Sequence, residues 1–306
     1  MLALKTVLFA TDFSRLADAA LDHALALAQQ HGAVLHMLHA VVLHADDPND
    51  PAHHFPDAEE IRVRLEQVAE DRMANQLEAR RLAEPDVVRA QRRGISTAPV
   101  ILEYAEEIDA DVIVMSTHGR RGLSHALLGS VTEEVMRLSF CPVLTIRSRP
   151  GALTPPQVEH VLVPVDFSGH SEAAVRHARE ICRAYGARMH LLHVFEQPVM
   201  PEVYLGGGPA PLLDFSRLEG SLREALLAVA ARAGADVESE IHVREGPAVG
   251  GILEAAKEIR ADVIVIATHG LGGLAHVLLG SVTEKIVRRA DCPVLTIKTF
   301  GKSLVA

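Results

Sequence analysis

Short apolar runs alternate along the chain with longer stretches in which apolar residues recur every three or four positions. Thr6–Ala10 is an apolar run of strand length, and behind it Leu16, Ala20, Leu21, Ala24, Leu25 and Ala28 fall on one face of a helix. A second run, Val34–Val42, leads through a polar, proline-bearing loop into a long charged helix around 61–82. A third run at 86–90 precedes a helix near 98–108, and a fourth at 112–115 ends in a glycine-bearing loop. A helix at 130–139 and a last strand, Val143–Ile146, complete the series. Strands and helices alternating at these lengths imply parallel pairing through right-handed crossovers, hence a doubly wound α/β sheet with helices on both faces.

The series then repeats. Val7-Leu8-Phe9-Ala10-Thr11-Asp12-Phe13-Ser14 returns as Val161-Leu162-Val163-Pro164-Val165-Asp166-Phe167-Ser168, and Leu38-His39 as Leu192-His193, both 154 positions on. His118 and His269, Gly129 and Gly280, and Cys141-Pro142 and Cys292-Pro293 stand 151 apart, so a net three-residue difference falls inside the unit. The second charged helix lies near Phe215–Ala233. Two copies of about 150 residues each suffice for their own core. The expected organisation is a domain at 1–149, a second at 157–306 and a Pro/Gly-bearing linker at 150–156.

Composition narrows the class. With 48% hydrophobic and 23% charged residues the chain has the balance of a globular protein, and no apolar run approaches the roughly 18 residues of a membrane span. The start, Met1-Leu2-Ala3-Leu4-Lys5, enters a strand-like run without a signal-peptide pattern, so a cytoplasmic location and no membrane partner are expected. Cys141, Cys182 and Cys292 make neither a disulfide framework nor a CxxC metal site, and read as buried thiols. A formal net charge of −10 argues against nucleic acid as a partner, although Arg120-Arg121 could form a local basic patch.

The chemistry concentrates after the fourth strand of each copy. Met115-Ser116-Thr117-His118-Gly119 runs to Gly129-Ser130-Val131-Thr132-Glu133, and Ile266-Ala267-Thr268-His269-Gly270 to Gly280-Ser281-Val282-Thr283-Glu284, with nine residues between the two glycines of each loop. A strand feeding a glycine loop that opens onto a helix N-terminus is an arrangement by which backbone amides hold phosphate. Neither a Walker A sequence nor a G-x-G-x-x-G fingerprint is present. Two structural readings stand beside the functional one. Ser130-x-x-Glu133 and Ser281-x-x-Glu284 fit a capping box, and Asp12 and Asp166, just past the first strands, fit helix caps.

With these residues in place, the chain resembles a tandem universal stress protein over nearly all of both halves. Nucleotide-binding members of that family carry G-x-x-G, nine residues, then G-[ST]; the matching glycines here are Gly119 and Gly129, and Gly270 and Gly280, followed by Ser130 and Ser281. The Asp-Phe-Ser, Leu-His and Cys-Pro-Val-Leu segments also match. The resemblance implies two tandem five-stranded sheets of order 3-2-1-4-5, packed through their last strands about a pseudo-twofold axis.

It further implies an ATP-binding stress-response regulator whose nucleotide occupancy modulates conformation or partner binding. ATP, with Mg²⁺ left open, is the implied cofactor, alongside unidentified protein partners and an open question of homodimerisation beyond the tandem pair. Asp12 and Asp166 would contact adenosine, Ala40 and Val194 would offer backbone to adenine, and Met115-Ser116 and Ile266-Ala267 would line the strand ends. Gly119, Gly129, Ser130 and Val131 would hold phosphates in the first half, and Gly270, Gly280, Ser281 and Val282 in the second. The departure is the motif's first glycine, replaced by Ser116 and Ala267. Were that position left-handed, a Cβ would cost roughly 1–2 kcal/mol. Pro164 is family-like where the first half has Ala10, which favours the second site.

The alternatives are a slow ATPase or phosphotransferase and a nucleotide-free scaffold. No catalytic residue is assigned, because His118 and His269 have no nucleophile or carboxylate at a recognisable spacing. No metal site is assigned either. His44, Asp46, Asp47, His53 and His54 lack a defined ligand spacing and have no counterpart in the second half, which carries Gly206-Gly207-Gly208 in the corresponding loop.

Overall fold

The computed structural model describes residues 2, 4–42, 58–80, 86–117, 128–147, 158–196, 215–234, 236–268 and 279–305. In the first half the order is β1 (Thr6–Ala10), α1 (Arg15–His31), β2 (Val34–Val42), α2 (Ala58–Glu78), β3 (Val87–Gly94), α3 (Thr97–Glu107), β4 (Val112–Ser116), α4 (Ser130–Leu138) and β5 (Val143–Ile146). The second half repeats it with β6 (His160–Pro164), α5 (Gly169–Tyr185), β7 (Arg188–Phe195), α6 (Phe215–Ala233), β8 (Ser239–Glu245), α7 (Ala248–Glu258), β9 (Val263–Ala267), α8 (Ser281–Arg289) and β10 (Val294–Ile297).

The strands form one sheet of order β3-β2-β1-β4-β5-β10-β9-β6-β7-β8. Each half therefore has the order 3-2-1-4-5, parallel throughout, and the two five-stranded sheets merge where β5 pairs with β10 antiparallel. Leu144 faces Leu295 at the centre of that pairing, and these residues are 151 positions apart, so the pseudo-twofold axis passes between them. The hydrogen bonds across it are reciprocal. Thr145 Oγ1 donates to the Val294 carbonyl and Thr296 Oγ1 to the Val143 carbonyl, both at 3.1 Å. Arg147 Nη1 donates to the Arg288 carbonyl at the end of α8, and Lys298 Nζ to the Arg137 and Ser139 carbonyls at the end of α4. Each half thus supplies a cation to the C-terminus of the other half's last helix, where carbonyls lack intrahelical donors.

Strand alternation divides the interior into two cores. Val7, Phe9, Val112 and Val114 pack with α1, and their counterparts Val161, Val163, Val263 and Val265 with α5; Met73 of α2 and Leu226 and Val229 of α6 close this face. Leu8, Ile113, Leu162 and Ile264 point the other way, onto α3, α4, α7 and α8. Full burial of a side chain such as Phe9 or Leu21 contributes about 1.5–3 kcal/mol. An aspartate at the head of each fourth strand anchors the first: Asp111 Oδ2 accepts from the Lys5 and Thr6 amides, and Asp262 Oδ2 from those of Glu159 and His160.

Three details differ from the sequence reading. Ala17, not Leu16, heads the buried stripe of α1, because Ser14 caps the helix and sets its phase. Strand β3 runs past Ala90 to Gly94; its polar Gln91-Arg92-Arg93 segment is on the sheet edge, where Arg93 pairs with Glu66 and Arg92 with Glu107. Cys141 and Cys182 are buried, but Cys292 is only partly so. Burial pushes the Cys141 thiol up to about 11 and Cys182 to about 12, which keeps both protonated at neutral pH. No helix among the described residues is long and apolar enough to cross a membrane.

Candidate functional site

Strand order reverses between β1 and β4, and between β6 and β9, so a crevice opens beyond the carboxyl ends of these strands. The turn after β1 forms one wall. Asp12 Oδ1 accepts from the Ser14 amide at 3.0 Å, and Ser14 caps α1 by accepting from the Ala17 amide. In the second half Asp166 Oδ1 accepts from both the amide and the hydroxyl of Ser168, which caps α5. The expectation that Asp12 and Asp166 cap these helices is therefore corrected. They brace the turn two residues before the cap, because Phe13 and Phe167 between them adopt left-handed backbone, with φ of 61° and 63°.

Bulky residues rarely hold that conformation unless their surroundings enforce it. Here the Leu-His segment does so. His39 Nδ1 donates to the Thr11 carbonyl at 2.8 Å while its ring packs on Phe13 at 4.5 Å, and His193 does the same to Val165 and Phe167, at 2.7 and 4.6 Å. Past Leu38 and Leu192 the first strands leave the ladder, and Ala40 and Val194 continue paired with β3 and β8. The Val194 side chain is packed against Gly251 of α7, where an added Cβ would stand 2.9 Å from it.

The opposite wall is the joint between strand four and the helix after it. Thr117 donates its amide to the Ile146 carbonyl and accepts from the Gly129 amide at 2.9 Å, and Thr268 makes the same pair of bonds with Ile297 and Gly280. One turn into the helix, Thr132 Oγ1 donates back to the Ser116 carbonyl at 2.9 Å, and Thr283 Oγ1 to that of Ala267 at 2.7 Å. These bonds fix the helix N-termini against the strand ends.

The capping box does not form. Gly129 and Gly280 are the N-caps, Ser130 and Ser281 are the first helical residues, and neither helix has a side-chain cap. A serine inside the first turn is past the position from which its hydroxyl reaches the N2 and N3 amides. The amides of Ser130, Val131 and Thr132, and of Ser281, Val282 and Thr283, are therefore left without intrahelical partners, with the two serines exposed. Gly129 and Gly280 have φ of −65° and −59°, so glycine is not required there by conformation.

The substituted glycine position is also resolved. Ser116 and Ala267 are the last residues of β4 and β9, 8% and 7% exposed, and are absent from the positive-φ residues. Their Cβ atoms carry no left-handed strain. Met115 and Ile266 are buried in the core beneath them, which confines any ligand contact to their backbone. Gly119 and Gly270, with His118, His269, Arg120 and Arg121, lie outside the described residues, as do the His44–His54 cluster and the linker. Thr117 and Thr132, with Thr268 and Thr283, are framing residues that the sequence reading passed over. Their signal was identity at both copies.

A cavity of about 600 Å³ lies elsewhere, between α1 and α5 over the central strands, lined by Leu27, Leu144, Ile181, Tyr185 and Leu304. It reaches Val112 and Val263, the first residues of β4 and β9, so it is at the amino ends and shares nothing with the crevices.

A model of the universal stress protein family matches residues 3–147 and again 157–298. The chain belongs to the universal stress protein family. Among its relatives is a universal stress protein of Mycobacterium bovis, 31% identical over 207 residues, an alignment covering 65% of this chain and 65% of that one. One from Methanocaldococcus jannaschii is 34% identical over 141 residues, 45% of this chain and 81% of its own length. The crystal structure of a universal stress protein from Archaeoglobus fulgidus matches with a TM-score of 0.66 at 24% identity, covering 97% of this chain and 96% of that one, which is agreement in fold. The tandem arrangement of this universal stress protein is thus matched along its length.

Proposed function

We propose that this universal stress protein binds an adenine nucleotide, ATP with Mg²⁺, at one crevice in each half, and that occupancy biases its conformation or its affinity for protein partners in the cytoplasm. The observation that carries the reading is the pair of uncapped helix N-termini at Gly129 and Gly280, held against the strand ends by Thr132 and Thr283. Each presents three adjacent amides at the positive end of a helix dipole, which suits the phosphates. Asp12 and Asp166 stand across the crevice on braced turns, half-buried, where a carboxylate would accept from ribose hydroxyls. Ala40 and Val194 lie one residue beyond the histidines that lock those turns, and their backbone would meet the base.

In this reading Ser130 and Ser281 offer exposed hydroxyls to a phosphate oxygen. Gly119 and Gly270 would complete the loop. The backbone of Ser116 and Ala267 supports an open site rather than a closed scaffold, since neither residue is held in a conformation that a side chain would strain. The bound nucleotide would supply a polyphosphate charge for the helix ends to neutralise. Mass spectrometry of protein purified and then denatured tests the reading: release of ATP or a related adenine nucleotide is expected. Its clean absence, with no heat on titrating ATP and Mg²⁺, would overturn it.

A further inference from the structure

We propose that the second half carries a zinc-type divalent-cation site on the sheet face under α7, ligated by His190 Nδ1, His242 Nε2 and Glu240 Oε2, with His160 as the positioning residue behind it. Nothing in the nucleotide reading uses these residues, and the inference does not depend on it.

The residues come from three neighbouring strands. His190 is on β7, Glu240 and His242 are on β8, and His160 opens β6. Met189 and Leu191 face the α5–α6 core while Leu162 and Leu192 face the other, so alternation directs His160, His190, Glu240 and His242 to a common face. There His190 Nδ1 is 3.1 Å from His242 Nε2 and 3.4 Å from Glu240 Oε2, and His242 Nε2 is 3.8 Å from the same oxygen. A tetrahedral zinc about 2.0–2.1 Å from each donor sets donor separations of about 3.3 Å, so the triangle already has the size of one face of the coordination shell. Two imidazoles and a carboxylate, with the fourth position open, suit zinc among the divalent metals.

The surroundings orient the ligands as metal sites require. His190 Nε2 lies 3.0 Å from His160 Nδ1, so a proton held on Nε2 donates to His160 and leaves Nδ1 as the lone-pair nitrogen toward the cluster. Arg188 Nη1 donates to Glu240 Oε1 at 3.0 Å, turning Oε2 toward the imidazoles, and pairs its other nitrogen with Glu238, which offsets its charge. The site has a floor and an entrance: the His190 side chain is 3% exposed, those of His242 and Glu240 27% and 42%. The first half cannot do this. His36 there bonds Tyr104 at 2.9 Å, and Val88 and Ala90 take the places of Glu240 and His242.

Without a metal the same atoms would form only a chain of hydrogen-bonded imidazoles, and the experiment separates the two. Tag-free full-length protein, stripped with a chelator, is titrated with Zn²⁺ at pH 7.5 against a chromophoric competitor. One tight site per chain is expected, weakened at least about tenfold in Glu240→Gln and in His242→Ala, and about 10–100-fold in His160→Phe, the range for lost outer-shell partners. Triple replacement of His44, His53 and His54 by Ala should leave it intact. Glu240→Gln is isosteric and partly exposed, so it carries the test even where another variant folds poorly. No zinc binding, binding unchanged in Glu240→Gln, or binding lost only in the triple loop variant would each overturn the proposal.

Discussion

Thr283 Oγ1 donates to the Ala267 carbonyl at 2.7 Å, and this bond sets where α8 begins relative to the end of β9. Thr132 and Ser116 repeat it in the first half at 2.9 Å. Because both threonines are buried, removing the hydroxyl leaves a carbonyl without its donor. Thr283→Val should cost about 1–3 kcal/mol in urea denaturation, while Thr283→Ser, which keeps the hydroxyl, should recover most of it. Equal losses in the two variants would mean that the bond does not hold the helix start.

Ala267→Gly restores the family's glycine and separates two meanings of that position. The residue ends a strand without positive φ, so glycine should gain no relief from strain and instead destabilise the fold by about 0.5–1 kcal/mol through chain entropy. A stabilised variant would show that the position is left-handed after all.

Much of this was legible in the chain. The strands were marked by short apolar runs because parallel strands buried on both faces need continuous hydrophobicity, as in Val263–Ala267, buried throughout. The repeat placed His39 and His193 beside the turns they lock, but not their role, since the bond to the strand-one carbonyl joins residues 28 apart in sequence. The S-x-x-E pattern misled because a capping box is defined by which residue starts the helix. The chain spends Gly129 and Gly280 on that position instead. The His190 cluster was invisible for a similar reason: Glu240 and His242 show the strand period of two, but their partner arrives from a different strand.

The joint between the halves should unfold with them. Lys298 is buried and donates to the Arg137 and Ser139 carbonyls, and burial pushes its amine down to about 8. Lys298→Met keeps the apolar stem but strands both carbonyls, so a loss of about 1–3 kcal/mol is expected. Scanning calorimetry should show one transition for the wild type. A variant as stable as the wild type would exclude this contact as a bond that ties the halves.

His177 predicts a pH dependence. Its Nδ1 donates to the Ala173 carbonyl at 2.8 Å and its Nε2 accepts from the Leu304 amide at 3.2 Å, and burial lowers its pKa below the ordinary 6.5. The unfolded chain then binds the proton more readily than the folded one. Stability from this group is complete above pH 6.5 and is lost as pH falls through the depressed folded value. Urea midpoints measured between pH 7.5 and 5 should fall more steeply for the wild type than for His177→Gln, which cannot titrate. Parallel slopes would rule out His177 as the source.

The two crevices are tested most directly by calorimetric titration of ATP with Mg²⁺ into the wild type, Gly129→Val, Gly280→Val and the double variant. Both glycines have backbone angles open to any residue, so valine should cover the helix amides while the fold persists. Saturable binding is expected in the wild type, weakened at least about tenfold (about 1.4 kcal/mol) at each substituted site and at both sites in the double variant. At 100 times Kd each occupied crevice should stabilise the fold by about 2.7 kcal/mol. Absence of binding in the wild type, or full binding in the folded double variant, would contradict the placement of phosphates at Gly129 and Gly280.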